Sequence, residues 1–368
     1  MEPKKIASLA LGVIAALGVV AAAVWSNSGL KEPSAEPAQA AALTKVSVLT
    51  GSEKLPFLTD PRLHALLAKQ GLVVDPRKAG SREIATRADL ASFDVAFPAG
   101  QPAATKIRSV TKARATETVF VTPLAIATWQ PVADLLKAND IVKEDAGALW
   151  VVDMDKLLGL MKAGTRWRDL PNNKAFPVGR SVLVSTTDVR TSNSAAQFLA
   201  LTSYLLNGRD VVTDAATAER IADQVLPFFA KQGQQEASSA GPFDDYLTIG
   251  QGKVPMVWIY ESQYLEQALR GALKPGMVLV YPQPTIFSKH TAVALSDAGV
   301  RFIEAMKDPQ VRAVAAEYGF RAEGAEADLK KKLKDKGLPL PALVDVADAP
   351  AHDVLEKMIS QIESKLAL

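Results

Sequence analysis

Apolar residues recur with two different periods along most of the chain, and these periods predict its secondary structure. Short apolar runs that end at turn-forming residues predict strands over residues 45–50, 93–98, 116–129, 180–188, 254–261 and 277–282. Apolar residues spaced three and four apart predict helices over residues 61–71, 130–140, 153–164, 191–208, 218–232, 262–271 and 297–320, the last broken near Pro309. Because strands and helices alternate, we expect an α/β fold with mostly parallel sheets flanked by helices.

Residues 6–25 form a continuous apolar run without a charged side chain. At about 1.5 Å per residue, a helix of this length spans about 30 Å, the thickness of a bilayer core. Lys4 and Lys5 precede the run, which predicts that the start stays in the cytoplasm and the remainder is exported. We therefore expect an uncleaved single-pass anchor. The alternative is a cleavable signal peptide, whose apolar region usually has about 7–15 residues. The anchor and the signal peptide both place the globular part in the periplasm or outside the cell.

Composition narrows the class of protein. A chain of 368 residues with 48% hydrophobic and 22% charged residues is globular and long enough for two lobes. A net charge of +2 without a long basic patch gives no reason to expect a nucleic-acid partner. The absence of cysteine excludes disulfides, thiolate metal sites and a cysteine nucleophile.

The sequence lacks the common catalytic and phosphate-binding motifs. It contains no GxGxxG, P-loop, HExxH or GxSxG pattern, and its histidines, His64, His290 and His352, lie far apart. We therefore expect no catalytic residues, no metal and no cofactor, and predict that the protein is not an enzyme.

The first predicted strand leads into a short polar junction. Open α/β sheets bind ligands beyond the carboxyl ends of their strands, so the strand-to-helix junctions are the places to look for a site. Thr50, Gly51 and Ser52 form this junction. Gly51 allows a ligand to approach the backbone closely, and Ser52 offers a hydroxyl. A simple turn is the alternative interpretation.

A second junction carries more polar groups than a helix start needs. Thr191, Ser192, Asn193 and Ser194 open the helix predicted over 191–208. One such side chain suffices to cap a helix. The remaining donors, together with free backbone N–H groups and the positive end of the helix dipole, favour an anion pocket.

The strand over 254–261 ends in Tyr260 and Glu261, which are also candidate ligand contacts. A carboxylate here either favours the dipole of the next helix or selects against an anion in favour of a cation or amine. The charge of the ligand therefore stays open at this point.

The order and spacing of these segments resemble a bacterial extracellular solute-binding protein of the type II periplasmic-binding-protein fold. The resemblance is to the branch that includes molybdate-, sulfate- and phosphate-binding proteins, and it covers about residues 44–325. It rests on the segments VSVLTGSE, FDVAFPAG, VTPLAIATWQP, TTDVRTSNSA, VWIYESQYL, LVYPQPTIFSKH and MKDPQVRAVAAEYGF.

The resemblance implies two α/β lobes that are joined by crossing strands and bind a ligand between them. The implied division is a membrane segment at 1–25, a linker at 26–43, lobe 1 at 44–125 and 286–325, lobe 2 at 126–285, and a C-terminal helical extension at 326–368. It also implies that Ser52 is the donor of the first lobe, that Ser192, Asn193 and Ser194 are donors of the second, and that Thr128 lies at the crossover.

The predicted function is that of an exported, membrane-anchored solute-binding protein for an ABC-type transporter. Its small polar ligand would be a solute such as an oxyanion, although Glu53 and Glu261 are unfavourable for an anion unless they point away. The alternative is a sensory or protein-interaction module of a membrane assembly that keeps the same fold.

Overall fold

The computed structural model describes residues 42–145, 149–233 and 235–366. The strands are β1 (Thr44–Thr50), β2 (Leu72–Lys78), β3 (Val95–Phe97), β4 (Ala115–Trp129), β5 (Val142–Asp145), β6 (Leu149–Asp153), β7 (Met256–Tyr260), β8 (Met277–Gln283), β9 (Thr285–Ala294) and β10 (Val346–Ala347). The helices are α1 (Leu55–Leu58), α2 (Pro61–Lys69), α3 (Ser81–Thr86), α4 (Gln101–Val110), α5 (Gln130–Lys137), α6 (Met154–Ala163), α7 (Asn193–Leu206), α8 (Ala215–Ala230), α9 (Ala240–Thr248), α10 (Glu261–Leu269), α11 (Asp297–Met306), α12 (Pro309–Glu317), α13 (Glu326–Lys334) and α14 (His352–Leu366).

The predicted helices are confirmed, and the break in the last one falls where expected. Asp308 accepts a hydrogen bond from the Gln310 amide and caps α12, whose first residue is Pro309. A proline is well tolerated at the first position of a helix, because its missing N–H would have no partner there. The chain therefore starts a new helix at Pro309 instead of extending α11.

Two long strands, β4 and β9, connect the two ends of the sheet. The strand order is β2-β1-β3-β9-β4-β8-β6-β5, with β7 also paired to β4 and β10 to β9. Within β4, residues up to Pro123 pair with β9, whereas Leu124 onward pairs with β7 and β8. Pro123 therefore lies inside the strand without breaking it, at the point where the ladder changes partner and a missing N–H is tolerated.

The expectation of mostly parallel sheets is corrected by the structure, because the sheet is mixed. The pairs β1–β2, β1–β3, β6–β8 and β9–β10 are parallel. The pairs β3–β9, β4–β9, β4–β7, β4–β8 and β5–β6 are antiparallel. The chain crosses the molecule along β4 and returns along β9, so these two strands run in opposite directions.

The predicted strand over 180–188 is also corrected, because this segment makes only isolated bridges. Ser185 bridges Val257 of β7, and its amide donates to the Met256 carbonyl. The next amide, that of Thr186, donates to Gln232 Oε1 at 2.7 Å. The Gln232 side chain thus accepts the hydrogen bond that a neighbouring strand would otherwise accept, and the pairing with β7 does not continue past Ser185.

We use lobe 1 for β1–β3 with α1–α4, α11 and α12, and lobe 2 for β5–β8 with α5–α10. One apolar core covers the same face of the sheet in both lobes and includes Val48, Phe97 and Ile259. On the opposite face the apolar side chains form two separate cores. The smaller one packs under α3 and α4, and the larger one packs under α5–α8. Gly80, just before α3, closely approaches the Thr191 carbonyl, just before α7.

The C-terminal helix α14 packs on lobe 2. Its apolar side chains, Leu355, Met358, Ile359 and Ile362, are buried in the larger core beside α8. The predicted membrane segment at 6–25 lies outside the described residues, as does most of the linker at 26–43. None of the helices in the described ranges combines the length and apolarity that crossing a bilayer requires.

Candidate functional site

The lobe 1 side of the site begins where β1 ends. Thr50 is the last residue of the strand, Gly51 follows it, and residues Ser52–Lys54 form a single 3-10 turn. The carboxylate of Glu53 folds back over Gly51, where a Cβ atom would collide with it. A side chain at position 51 would therefore require the Glu53 carboxylate to move from its present place.

A buried group of titratable side chains lies behind this turn. Lys54 Nζ contacts Glu53 Oε1 and donates to His290 Nδ1 at 3.2 Å. Lys54 and His290 are fully buried, and the Glu53 side chain is 6% exposed. Burial lowers the pKa of Lys54, an effect that the Glu53 carboxylate opposes. Burial and the Lys54 charge hold the pKa of His290 well below its usual value, so His290 is neutral and accepts from Lys54.

The lobe 2 side of the site is the start of α7. Ser192 occupies the capping position, yet its side chain makes no cap hydrogen bond. Asn193 Nδ2 donates to the Tyr260 hydroxyl at 3.0 Å. Ser194 is fully buried, its carbonyl accepts from Trp258 Nε1 at 3.0 Å, and its hydroxyl has no partner among the described residues. No side chain therefore caps α7, so capping does not explain the polar residues at its start.

Tyr260 lies between the two sides. Its side chain is 2% exposed, and its ring centroid is 6.1 Å from that of His290. Burial, and after it the charge of Glu53, raise the pKa of Tyr260 well above its usual value. The tyrosine hydroxyl is therefore neutral. It accepts from Asn193 of α7, while its ring lies beside His290.

The two lobes meet closely around this cluster. The hydroxyls of Ser52 and Ser238 are 2.8 Å apart. A Cβ atom on Gly80 would collide with the Thr191 carbonyl, and one on Gly100 with the Asn193 side chain. The cavity that remains has a volume of about 50 Å³. We call it the cleft cavity; its lining is Gly51, Ser52, Glu53, Lys78, Ala79, Gly80, Ser81, Thr191, Ser192, Asn193, Ala237, Ser238, Ser239 and Tyr260.

A larger cavity of about 540 Å³ adjoins the cleft cavity and shares Lys78, Gly80 and Thr191 with it. Arg82 and Arg190 also line this outer cavity, together with the carboxylates of Glu83 and Glu356. Arg190 is tied to Asp188 through bonds of 2.6 to 3.0 Å. The outer cavity is therefore lined by charged groups of both signs, with each arginine paired to a carboxylate.

The structure brings together most of the residues that the sequence singled out. Those that line the cleft cavity are Gly51, Ser52, Thr191, Ser192, Asn193 and Tyr260. Thr50 and Ser194 are fully buried directly beside them and do not line it.

Two of the predicted site residues lie elsewhere. Thr128 Oγ1 donates to the Pro255 carbonyl at 2.8 Å, at the far end of β4. Glu261 is fully buried, accepts from Arg321 at 2.6 and 2.8 Å, and accepts from the Tyr281 hydroxyl at 2.6 Å. Both oxygens of Glu261 are thus engaged by the protein and do not reach the cleft cavity.

Other lining residues were missed by the sequence reasoning. Lys78 ends β2, Gly80 caps α3 and Ser81 starts it, which is the same strand-to-helix arrangement as the junctions that were considered. The strand β2 was not predicted, so its junction was overlooked. Ser238 and Ser239 lie in a loop before α9, and nothing local in the sequence indicates that this loop faces Ser52.

The described residues do not include any group of three or more His, Asp or Glu side chains arranged to hold a metal ion. In the cleft itself, Glu53 and His290 are both engaged by Lys54. The donor set around the cavity consists mainly of hydroxyls and one amide. Such groups bind polar solutes by hydrogen bonding.

Comparison with solved structures identifies the fold. The neighbours include the periplasmic binding protein AfuA from Actinobacillus pleuropneumoniae, with fructose-6-phosphate bound (TM-score 0.51, 11% identity, 88% of this chain and 96% of that chain). They also include iron-bound HitA from Pseudomonas aeruginosa (TM-score 0.54, 13% identity, 88% and 100%). A third is apo ferric ion-binding protein A from Pasteurella haemolytica (TM-score 0.51, 13% identity, 88% and 96%).

No family model matches the sequence, and no curated protein matches it. The solved neighbours cover nearly the whole globular part at low identity, so they establish its architecture. The chain therefore has the two-lobe type II fold of the bacterial periplasmic solute-binding proteins.

Proposed function

We propose that the protein is an exported solute-binding protein that captures a small polar ligand between its lobes and presents it to a membrane partner such as an ABC-type permease. The observation that carries the proposal is that the β1 junction of lobe 1 and the α7 start of lobe 2 line the same cavity. AfuA, whose fold is similar, is described as a periplasmic binding protein with a bound sugar phosphate. The proposed lobe division is the one that the sequence implied, with lobe 1 at 44–125 and 286–325 and lobe 2 at 126–285.

The polar groups of the cleft favour a ligand rich in hydrogen-bond acceptors, including an oxyanion. Ser52, Ser192 and Asn193 supply donors, and the uncapped start of α7 adds the positive end of a helix dipole. The negative charge of Glu53 is balanced by its contact with Lys54, so it does not by itself exclude an anion. Lys78 adds a positive charge to the lining.

Ligand entry would require the lobes to separate. The cleft cavity has only about 50 Å³, and Ser52 and Ser238, which both line it, are in direct contact. A solute larger than this volume must separate them. Hinge closure about crossing strands is a standard way to enclose a ligand. We further propose that residues 6–25 anchor the protein and that its globular part faces the periplasm or the cell exterior.

Retained and added ligands test the proposal. The full chain, purified in detergent, is analysed by native mass spectrometry and then by thermal unfolding with molybdate, sulfate, phosphate and sugar phosphates. A ligand at a hundred times its Kd stabilises the folded state by about 2.7 kcal/mol. We expect one of these solutes to raise Tm, and Ser52→Ala or Ser192→Ala to weaken its binding about tenfold. The exposed Ser109→Ala is the matched control and should bind as the wild type does.

A second function is favoured by the small volume of the cleft cavity. The lobes are already in contact through Ser52 and Ser238, which suits a sensory or interaction module that no longer opens for a solute. If no solute raises Tm while cross-linking in the membrane captures one defined protein partner, this second function replaces the first.

A further inference from the structure

A second cavity lies behind the cleft, on the side of the crossing strands. Its volume is about 480 Å³. It is lined by α4 of lobe 1, α7 of lobe 2, β4, β9 and the C-terminal segment that leads into α14. We call it the rear cavity; it shares no lining residue with the cleft cavity.

The rear cavity is mostly apolar. Its walls include Pro102, Val121, Ile286, Phe287, Val346 and Ala349. Apolar walls of this extent with a few polar groups are typical of sites for small organic molecules. The volume is sufficient for an aromatic ring system.

One buried polar group in the wall lacks a partner. Gln197 of α7 is 2% exposed, lines the rear cavity, and has no hydrogen-bond partner for its Oε1 atom among the described residues. A buried carbonyl oxygen is usually paired, because leaving it unpaired is unfavourable. A ligand that donates one N–H or O–H to Gln197 would satisfy it.

The charged groups in the lining balance each other. Lys289 and Asp348 are both exposed and carry opposite charges. Burial holds the pKa of His352 below its usual value, so this side chain is neutral at pH 7. A lining without net charge favours a neutral ligand over an ion.

From these observations we propose that the rear cavity is a second binding site, distinct from the cleft, for a neutral aromatic molecule that donates one hydrogen bond to Gln197. The site connects to the cleft through α7, because Gln197 lies one helical turn after Asn193. The side chains of both residues also approach Gly100 of lobe 1.

Indole and benzofuran provide a matched pair of molecules for the test. They have nearly the same shape, but only indole carries an N–H donor. Binding of each to the full chain is measured by calorimetry and by saturation-transfer NMR. We expect indole to bind about tenfold more tightly than benzofuran, the difference that one satisfied buried acceptor gives.

Variants locate the binding and identify the acceptor. Gln197→Leu should abolish the preference for indole, whereas Gln310→Leu, the same change at an exposed position of α12, should retain it. Ala349→Phe, which fills the cavity, should abolish binding of both molecules. Circular dichroism establishes that each variant is folded.

Three results would overturn the proposal. They are equal binding of indole and benzofuran by the wild type, unchanged indole binding by folded Ala349→Phe, and loss of indole binding on Ser52→Trp, which fills the cleft cavity instead. The first two results do not involve the cleft, so they would overturn the rear-cavity site without affecting the proposed solute-binding function. Likewise, a failure of the solute-binding tests would leave the rear-cavity site untouched.

Discussion

Arg82 of lobe 1 forms a salt bridge with Glu356 of the C-terminal helix α14, with 2.6 Å between Arg82 Nε and Glu356 Oε2. The same guanidinium donates to the Arg190 carbonyl of lobe 2 at 3.0 Å. Because the apolar face of α14 is buried in lobe 2, its acidic side chains reach back across the lobe boundary. Asp353 of α14 makes a second such contact, with Lys106 of α4 at 3.2 Å. The C-terminal helix thus connects the lobes at the edge of the cleft.

Reversing the charge of Glu356 should favour the open state. The Arg82 and Glu356 side chains are 28% and 22% exposed, so solvent screens the pair and its contribution is about 1 kcal/mol. We expect Glu356→Lys to raise the ratio of open to closed molecules about fivefold. Since the chain has no cysteine, Arg108→Cys and Lys162→Cys place one spin label on each lobe for distance measurements.

The control for this prediction is Glu323→Lys, whose exposed carboxylate pairs with Arg312 of α12 and not with Arg82. The double change Arg82→Glu with Glu356→Lys should restore the closed distance. If Glu356→Lys leaves the distance distribution unchanged at low salt, the salt bridge does not contribute to closure.

Gly80→Ala should hold the lobes apart. The added methyl group would collide with the backbone carbonyl of Thr191 across the cleft. Gly80 has φ −68°, so alanine is not strained there within lobe 1 itself. We expect the same spin-label distance to lengthen while the melting behaviour stays cooperative. Gly159→Ala, in α6 with open space around it, should leave the distance unchanged and add about 0.5–1 kcal/mol of stability.

Glu261→Gln should destabilise the fold without affecting the cleft. Removing the carboxylate leaves the largely buried Arg321 guanidinium without its charge partner. A broken buried pair of this kind typically lowers the free energy of unfolding by about 3–5 kcal/mol. Urea denaturation measures the loss, and Glu323→Gln at an exposed pair should change it by less than about 0.5 kcal/mol. A solute that binds wild type should still bind the folded variant, since Glu261 does not line the cavity.

Stability should fall as pH falls below about 6.5, the ordinary pKa of histidine. Burial holds the pKa of His290 well below that value in the folded state, so the unfolded state binds the additional proton. The contribution of neutral His290 to the free energy of unfolding is fully present above pH 6.5. Below pH 6.5 it is lost at up to about 1.4 kcal/mol per pH unit. His352, whose pKa burial also lowers, adds a slope of the same sign in this window. Urea denaturation between pH 5 and 7 should show the combined slope, and His290→Gln should reduce it. Asp60, with a pKa lowered to about 2, titrates below this window.

Much of the fold could be predicted from the sequence because it follows from local periodicity. The apolar runs that became β1, β4, β7 and β8 are each long enough to identify alone. Strand β9 was missed, since its polar and apolar residues follow neither clean alternation nor a continuous apolar run. Its place at the centre of the sheet depends on pairing with residues far away in the chain.

The candidate site likewise contains residues that the sequence could predict and residues that it could not. Gly51, Ser52 and Ser192 were identified because each follows or opens an element whose end is evident locally. Glu261 could not be assigned from sequence, because its role depends on Arg321, 60 positions later in the chain.

The sequence by itself determined the alternation of elements, the polar junctions at their ends and the uncharged run at 6–25. The tertiary structure alone decided which junctions face each other, through contacts such as Ser52 with Ser238, which are 186 positions apart. It also placed α14 across the lobes. The physical reason is that backbone periodicity is fixed by neighbours a few residues away, whereas the partner of a polar side chain is set by packing of the whole chain.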